Sequence, residues 1–364
     1  MAHNGAIMNS DVIIIGGGVA GLSAAIHCAE LGLKPVLVES GSYPAHKICG
    51  EFFSPECLPL LARWGIVPPV LLKRLTISAG SRSFTLSLNS GAGSMSRYFF
   101  DHLLAGVAQS KGVVLLSNSR VTAICRKPNM KNYEVVLANG NVLTSSRLII
   151  GTGRVTQLLE PDYEHKPMTF PYVGIKAHFK GPKSDEVRFY TFSSGYLGVS
   201  SIEDGKVNVA CLARKEVVEK HKSTKDFMMH LSNLPGMEPL KDIFKQSVFD
   251  WMSCAVPDFG IKHNHPLPNV FFIGDAAGVI PPASGDGLAI ALTSGALVAP
   301  FVLARDAPGF RVAWKQQYGS VIRYGKLLHQ IMMRPPMVGV ALMGCKIAPG
   351  LANYLFYKTR CKKF

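Results

Sequence analysis

The chain has 364 residues, 48% of them hydrophobic and 17% charged, a balance that allows one large or two medium domains with real cores and argues against extensive disorder. A formal net charge of +15 would suit nucleic acid, anionic lipid or an acidic soluble partner. Lysines and arginines are dispersed, however, and no recognition helix, zinc finger or RNA-binding sheet signature is present, so nucleic acid is set aside. Eight cysteines stand singly, with no CxxC pair, no Cys/His cluster at zinc spacing and no signal peptide ahead of them. They read as reduced thiols of a cytoplasmic protein without a metal site.

Residues 11–15, DVIII, form a β-branched run that leads directly into GGGVAGLSAAIHCAELG and then KPVLVE. The order is strand, glycine turn, helix, strand and terminal acid, which is the dinucleotide fingerprint in its full context. Gly16 permits the tight turn, Gly18 lets backbone approach a pyrophosphate, and Gly21 lets helix and sheet pack closely while the helix N-terminus faces the anion. Glu39 is placed to accept hydrogen bonds from an adenosine ribose and to repel a 2′-phosphate. The nucleotide is therefore FAD or NAD, not NADP.

Shortly afterwards AHKICGEFFS sets Cys49 between Lys47 and Gly50, where it is open to reading as a metal ligand, a redox thiol, a pocket wall or filler. Residues 72–90 alternate as strands around a glycine turn, and a helix is predicted from near Ser96. Leu103, Leu104 and Val107, with Phe99 or Phe100, form its apolar side. Arg97 lies in the first turn, where the helix dipole prefers acids; it points across a cleft to an anionic ligand or makes a surface salt bridge.

GVVLLSN, SRVTAICRK, NYEVVLANG and SSRLIIGTG read as four short strands, the second and third as a hairpin around KPNMKN. From about residue 171 to 266 the strand-rich segments VGIKAHFKG, EVRFYTFSSGYLGVSSI and KVNVACLARK, with a helix at DFMMHLSNL, suggest a second domain on a largely antiparallel sheet. Then PNVFFIGDAAG places Asp275 at the C-terminal end of a buried strand, suited to a polyol hydroxyl. The loop PPASGDG exposes backbone at Gly285 and Gly287 before a helix that begins near Leu288, with Ser284 or Asp286 as its N-cap. The last stretch, 347–364, is interrupted too early to span a membrane; it reads as a helix pair packed back on the domain, or as a basic and apolar face for an anionic membrane surface.

GGGVAGL with Glu39, SRYFFDHLL, and GDAAG with PPASGDG together resemble the FAD-dependent oxidoreductases of the p-hydroxybenzoate hydroxylase fold over residues 10–305, and HKICG resembles their geranylgeranyl reductase-like branch. The resemblance implies an α/β fold: a Rossmann-like FAD-binding domain with an inserted α+β substrate domain dominated by a mostly antiparallel sheet. The FAD-binding parts are 10–71, 95–170 and 267–306, the substrate parts 72–94 and 171–266, and 307–364 forms a C-terminal helical, basic and apolar segment.

Carried onto this chain, the resemblance puts Gly16, Gly18, Ala20 and Gly21 around the pyrophosphate and Glu39 with Ser40 at the ribose. It puts Val121 near adenine, Arg97 and Asp275 at the phosphate and ribityl region, and Gly285, Gly287 and Leu288 beside the flavin ring. Lys47 would contact the flavin or its phosphate, Cys49 and Gly50 would border the ring, and Cys49, Tyr196 or water would be the proton donor. The sequence departs from hydroxylases in having GRVTQLL where they carry an acidic DG motif, and it lacks the WxWxIP element of flavin-dependent halogenases. Of the aromatic YxWxFP pattern of prenyl reductases, GYLGVS keeps only Tyr196.

The expected reaction is reduction of a carbon–carbon double bond, or hydride transfer to or from an apolar isoprenoid-like or polyketide-like substrate. The alternative is an FAD monooxygenase acting on an aromatic or polyketide substrate; a flavin-binding redox sensor is the third reading. Electrons would come from transiently bound NADH or NADPH, or from an acidic electron-donor protein that complements the basic surface. The location expected is cytoplasmic, with membrane-peripheral contact through 347–364.

Overall fold

The computed structural model describes residues 7–126, 131–154, 169–262 and 267–361. The KPNMKN turn and GRVTQLL beyond Arg154 lie largely outside the described residues. Five short strands form an all-parallel sheet in the order Val270–Phe272, Leu148–Ile150, Val12–Ile15, Pro35–Val38, Val114–Leu116. Every residue of Val12–Ile15 and Pro35–Val38 is buried, as expected where helices cover both faces of a parallel sheet. The helices Val19–Glu30 and Gly287–Ala304 pack directly on one another, and their contact depends on Gly295, where a Cβ would come within 2.6 Å of Ser23 and Ala24.

A four-stranded layer, Ile7–Asn9, Val142–Ser145, Tyr133–Leu137 and Val121–Cys125, joins the parallel sheet at its side. The expected hairpin is present between the last two. Val142–Ser145 is an additional strand, antiparallel to Tyr133–Leu137 across the Asn139–Gly140 turn.

The second domain is an eight-stranded sheet ordered Met252–Val256, Tyr172–Lys180, Lys206–Arg214, Gly195–Ser201, Glu186–Phe192, Val70–Ala79, Arg82–Ser94, Phe52–Phe53. All pairings are antiparallel except Glu186–Phe192 with Val70–Ala79. EVRFYTFSSGYLGVSSI is two strands of this sheet, folded at Ser194 with φ +67°. Strand alternation gives the sheet two faces. Ile175, Ala177 and Phe179 enter a core with Phe227, Met228, Leu231 and Leu240 from the helices Thr224–Leu231 and Pro239–Phe244, while Gly174, Lys176 and His178 point the other way.

The helix Arg97–Ser110 starts where expected, with Ser96 Oγ accepting the Phe99 N–H. Of the two aromatic candidates for its apolar side, Phe100 is buried and Phe99 exposed. Gly287–Ala304 is the one helix, among the described residues, long and apolar enough to cross a membrane; here it packs between Val19–Glu30 and Ala307–Met332. The helices Pro335–Ile347 and Pro349–Lys358 close the chain, the first resting on the Val70–Ser94 hairpin. Their outer side carries Val340, Ile347, Tyr354 and Tyr357 in solvent beside Lys346 and Lys358.

Two glycines of the fingerprint separate folding from ligand contact. A Cβ on Gly21 would collide with the Gly16 carbonyl, whereas one on Gly18 would meet no protein atom within 4 Å. Gly21→Ala should therefore lower stability in urea by about 1–3 kcal/mol or more, and Gly18→Ala should unfold like the wild type yet bind FAD about tenfold or more weakly. Equal stability losses in both variants would contradict this division.

Candidate functional site

A cavity of about 300 Å³ opens between the parallel sheet's C-terminal edge and the second sheet. That volume is at the lower end for small-molecule sites. Gly18, Val19 and Ala20 line one end, Arg97, Arg154 and Asp275 the middle, and Gly285, Gly287 and Leu288 the end nearest the second sheet, which contributes Val187, Phe189, Tyr196 and Leu212. The segment Ile48–Phe52 forms a side wall.

Two helix N-termini meet this one cavity. Val19–Glu30 begins after Gly18 and Gly287–Ala304 after Asp286; neither has a side-chain cap hydrogen bond and neither has an acid in its first turn. Unsatisfied N–H groups and the positive ends of both dipoles are thereby offered to ligand atoms. Asp286 occupies the expected cap position, but its carboxylate turns away to Arg360 Nη1 at 2.7 Å. Both groups are buried, and burial pushes the Asp286 carboxyl up to about 7 against the pull of Arg360. Gly285 is left-handed at φ +71°, and a Cβ there would press on the Phe52 ring at 3.1 Å.

Cations gather in the middle. Arg97 makes two 2.6 Å hydrogen bonds to Asp101 and lies beside the Cys49 thiol; the buried pair with Asp101 holds its guanidinium charged despite burial. The two readings of Arg97 thus merge, because the salt bridge is internal and forms part of the cavity wall. Arg154 Nε is 3.7 Å from Asp275. Lys262, which the sequence did not single out, donates to the Arg154 carbonyl at 2.8 Å, and burial pushes its ammonium down to about 8 despite nearby Asp275.

Other predicted positions shape the backbone of the glycine turn. Gly16 sits at φ +100° against Gly151. Glu39 accepts the Gly17 N–H at 2.7 Å and the Gly41 N–H at 2.9 Å, while the Tyr43 hydroxyl donates to the Gly17 carbonyl. Gly16, Gly21, Glu39, Ser40, Lys47 and Val121 do not line the cavity. Lys47 is exposed, but its carbonyl accepts from Lys176 Nζ at 3.0 Å.

Lys176 is a second cation that sequence reasoning missed. It is fully buried with Glu51 and His178: Lys176 Nζ donates to Glu51 Oε1, and His178 Nε2 lies 2.8 Å from Glu51 Oε2. The Arg97 N–H also donates to Glu51 at 2.7 Å. Burial alone would raise the Glu51 carboxyl, yet the His178 hydrogen bond and the Lys176 ammonium hold it below its ordinary range. Asn208, on the neighbouring strand opposite His178, donates to the Cys49 carbonyl at 3.2 Å. The wall Ile48–Phe52 is thus pinned by charge from behind. The available signal was a Lys and a His two residues apart in VGIKAHFKG, polar positions on one face of a strand whose other face is apolar.

Tyr196 is buried, accepts the Ala283 N–H at 3.1 Å and lies 3.3 Å from His329 Nδ1. Cys49 Sγ accepts the Glu51 N–H at 3.3 Å. The paired helix ends, the cations and the open space over Gly18 fit an anionic dinucleotide: Gly18 to Ala20 would hold its pyrophosphate, and Gly285 to Leu288 its flavin.

Comparison with known proteins agrees. Residues 11–47 match the FAD binding domain family model. The chain is 22% identical over 335 residues to menaquinone reductase of Mycolicibacterium smegmatis, covering 84% of this chain and 79% of that protein. Its fold matches the flavin-dependent brominase Bmp2 at a TM-score of 0.82 and 17% identity, covering 97% and 93% of the two chains. It also matches PqsL of P. aeruginosa in complex with 2-aminobenzoylacetate at 0.74 and 17% identity, covering 92% and 100%.

Two measurements probe the site's electrostatics. Glu51→Ala leaves the Lys176 charge buried without its partner and should lower stability in urea by about 3–5 kcal/mol; a loss under 1 kcal/mol would mean that the cluster does not hold the wall. Lys262 is largely protonated below about 8 and loses its charge above it, so FAD affinity should fall as pH rises through that value, and Lys262→Met should flatten the profile. Residues 11–47 thus carry the FAD binding domain match, and the chain has the fold seen in flavin-dependent halogenases and in a probable FAD-dependent monooxygenase.

Proposed function

We propose that the protein is an FAD-dependent monooxygenase acting on an apolar aromatic or polyketide-like substrate, held between the second sheet and the Gly285–Leu288 loop. The observation that carries this reading is the fold, shared over 97% of the chain with a flavin-dependent brominase and over 92% with a probable FAD-dependent monooxygenase, together with the apolar wall that the second sheet gives the cavity.

When bound and reduced by NADH, NADPH or a donor protein, FAD supplies two electrons and the activation of O₂; one oxygen atom enters the substrate and the other leaves as water. The chain's own part is to position and to exclude. Val187, Phe189, Leu212 and Phe259 form apolar cavity wall, which keeps bulk water from the reacting atoms. The N-terminus of Gly287–Ala304 and the Arg97 and Arg154 guanidiniums stabilise negative charge as it develops. The folds of Bmp2, named a flavin-dependent brominase, and of PqsL with an aromatic keto acid bound support an aromatic substrate.

The second reading is hydride transfer to an isoprenoid-like or polyketide-like double bond, as in the geranylgeranyl reductase-like branch. Its support is HKICG together with the likeness to menaquinone reductase over 84% of the chain. Turnover of an electron-rich phenol under ¹⁸O₂ separates the two. The proposal expects one labelled oxygen in the product and no product without O₂; an unlabelled, reduced product formed anaerobically would replace it with the second reading.

A further inference from the structure

A second cavity of about 170 Å³ lies behind the first. Its walls come from the Val70–Ser94 hairpin through Ile77 and Leu86, from Ala307–Met332 through Leu328 and Ile331, and from Pro335–Ile347 through Ala341 and Leu342. The two cavities have Phe52, Val187, Phe189 and Gly285 in common, so the partition between them is one side chain thick. The Phe52 ring stands close to Gly285, the residue that also borders the flavin end of the first cavity.

The chemistry of the two spaces differs. Glu51, Arg97, Arg154 and Asp275 line the first along with its apolar residues. The second takes its few polar members from Ser284, the exposed Tyr324 and the segment Lys358–Arg360, with the Lys358 ammonium lying over the Tyr324 ring. Arg360 is already committed to Asp286 and to the Ser284 carbonyl, and Thr359 Oγ1 donates to Phe356. A polar ligand group here would give up its bonds to water for little return, whereas a hydrocarbon chain gives up nothing and gains burial. Unfilled space of this size in a packed protein forfeits contacts on every wall, and a hydrocarbon ligand restores them.

We infer that the substrate is amphipathic, with its reacting ring in the first cavity and a hydrocarbon tail that passes Phe52 and Phe189 into the second. The inference rests on the proposed function for the identity of the ring and on the second cavity alone for the tail. The tail chamber makes chain length, rather than ring substitution, the main determinant of affinity.

The test uses the FAD-loaded full chain and 4-alkylphenols bearing methyl, butyl and heptyl groups, with binding read from perturbation of the flavin absorbance. In the wild type, affinity should rise roughly threefold to fourfold per added methylene. Ala341→Trp puts an indole into the chamber and should cut the heptyl-to-methyl affinity ratio by about tenfold or more. Leu328→Ala enlarges the same space and should raise that ratio, so the inference stays testable if the tryptophan variant does not fold. No gain with chain length in the wild type, or a ratio unchanged in whichever of the two variants folds, overturns the tail chamber. If methylphenol still incorporates labelled oxygen in that case, only this inference is lost. A length-dependent affinity without any oxygen incorporation supports the chamber and overturns the monooxygenase reading instead.

Discussion

The buried carboxylate of Glu51 is the group on which the geometry of the site depends. Its side chain receives Lys176, His178 and the Arg97 N–H, while its carbonyl receives the Ser94 hydroxyl at 3.0 Å. One residue thereby joins the segment after the nucleotide unit, the strand Tyr172–Lys180 next to the edge of the second sheet, the end of the first hairpin and the start of the Arg97 helix. It does so at φ +57°, a left-handed conformation that a side chain other than glycine's adopts only when its surroundings compel it. The strain and the buried charge are sustained by the same contacts, so losing one partner exposes both costs.

That junction fixes the shape of the first cavity. Since Lys176 and His178 hold Glu51 from behind, Cys49 and Gly50 face the cavity without needing polar partners there, and the wall stays close to the two helix N-termini. Positive potential comes from backbone ends and from paired guanidiniums rather than from mobile surface lysines. Charge placed in this way costs little reorganisation when negative charge appears on a ligand. The overall charge of +15 contributes less here, being screened by solvent over distances beyond about 8 Å at physiological salt.

The nucleotide half was legible in the sequence because its signals are local. Strand, glycine turn and helix occupy residues 12–30 without interruption, and each glycine has a steric reason that neighbouring residues reveal. Legibility failed where proximity in space came from distant segments. Val142–Ser145 falls between the strands read in NYEVVLANG and SSRLIIGTG and is too short to stand out by pattern, although it pairs in a different sheet from Leu148–Ile150. EVRFYTFSSGYLGVSSI reads as one strand-rich run although Ser193 and Ser194 turn the chain, with Gly195 pairing back onto Phe192 across that two-residue turn. Glu51 and Lys176 stand 125 positions apart. A lysine on one face of a strand reads as a solvent-facing residue unless something covers it, and the covering loop cannot be placed by periodicity.

The same distinction explains why Asp286 escaped its expected role. By local rules an aspartate before a helix caps it, but Arg360 arrives from the chain's last turn and takes the carboxylate. That pairing leaves the helix N-terminus uncapped toward the cavity, where a capping carboxylate would have neutralised the dipole. Arg360 also contacts the Ser284 carbonyl in the same loop. The C-terminal helices therefore do more than roof the second cavity: through the Arg360 guanidinium they hold the loop before Gly287–Ala304, linking the electrostatics of the first cavity to the packing of residues 335–360.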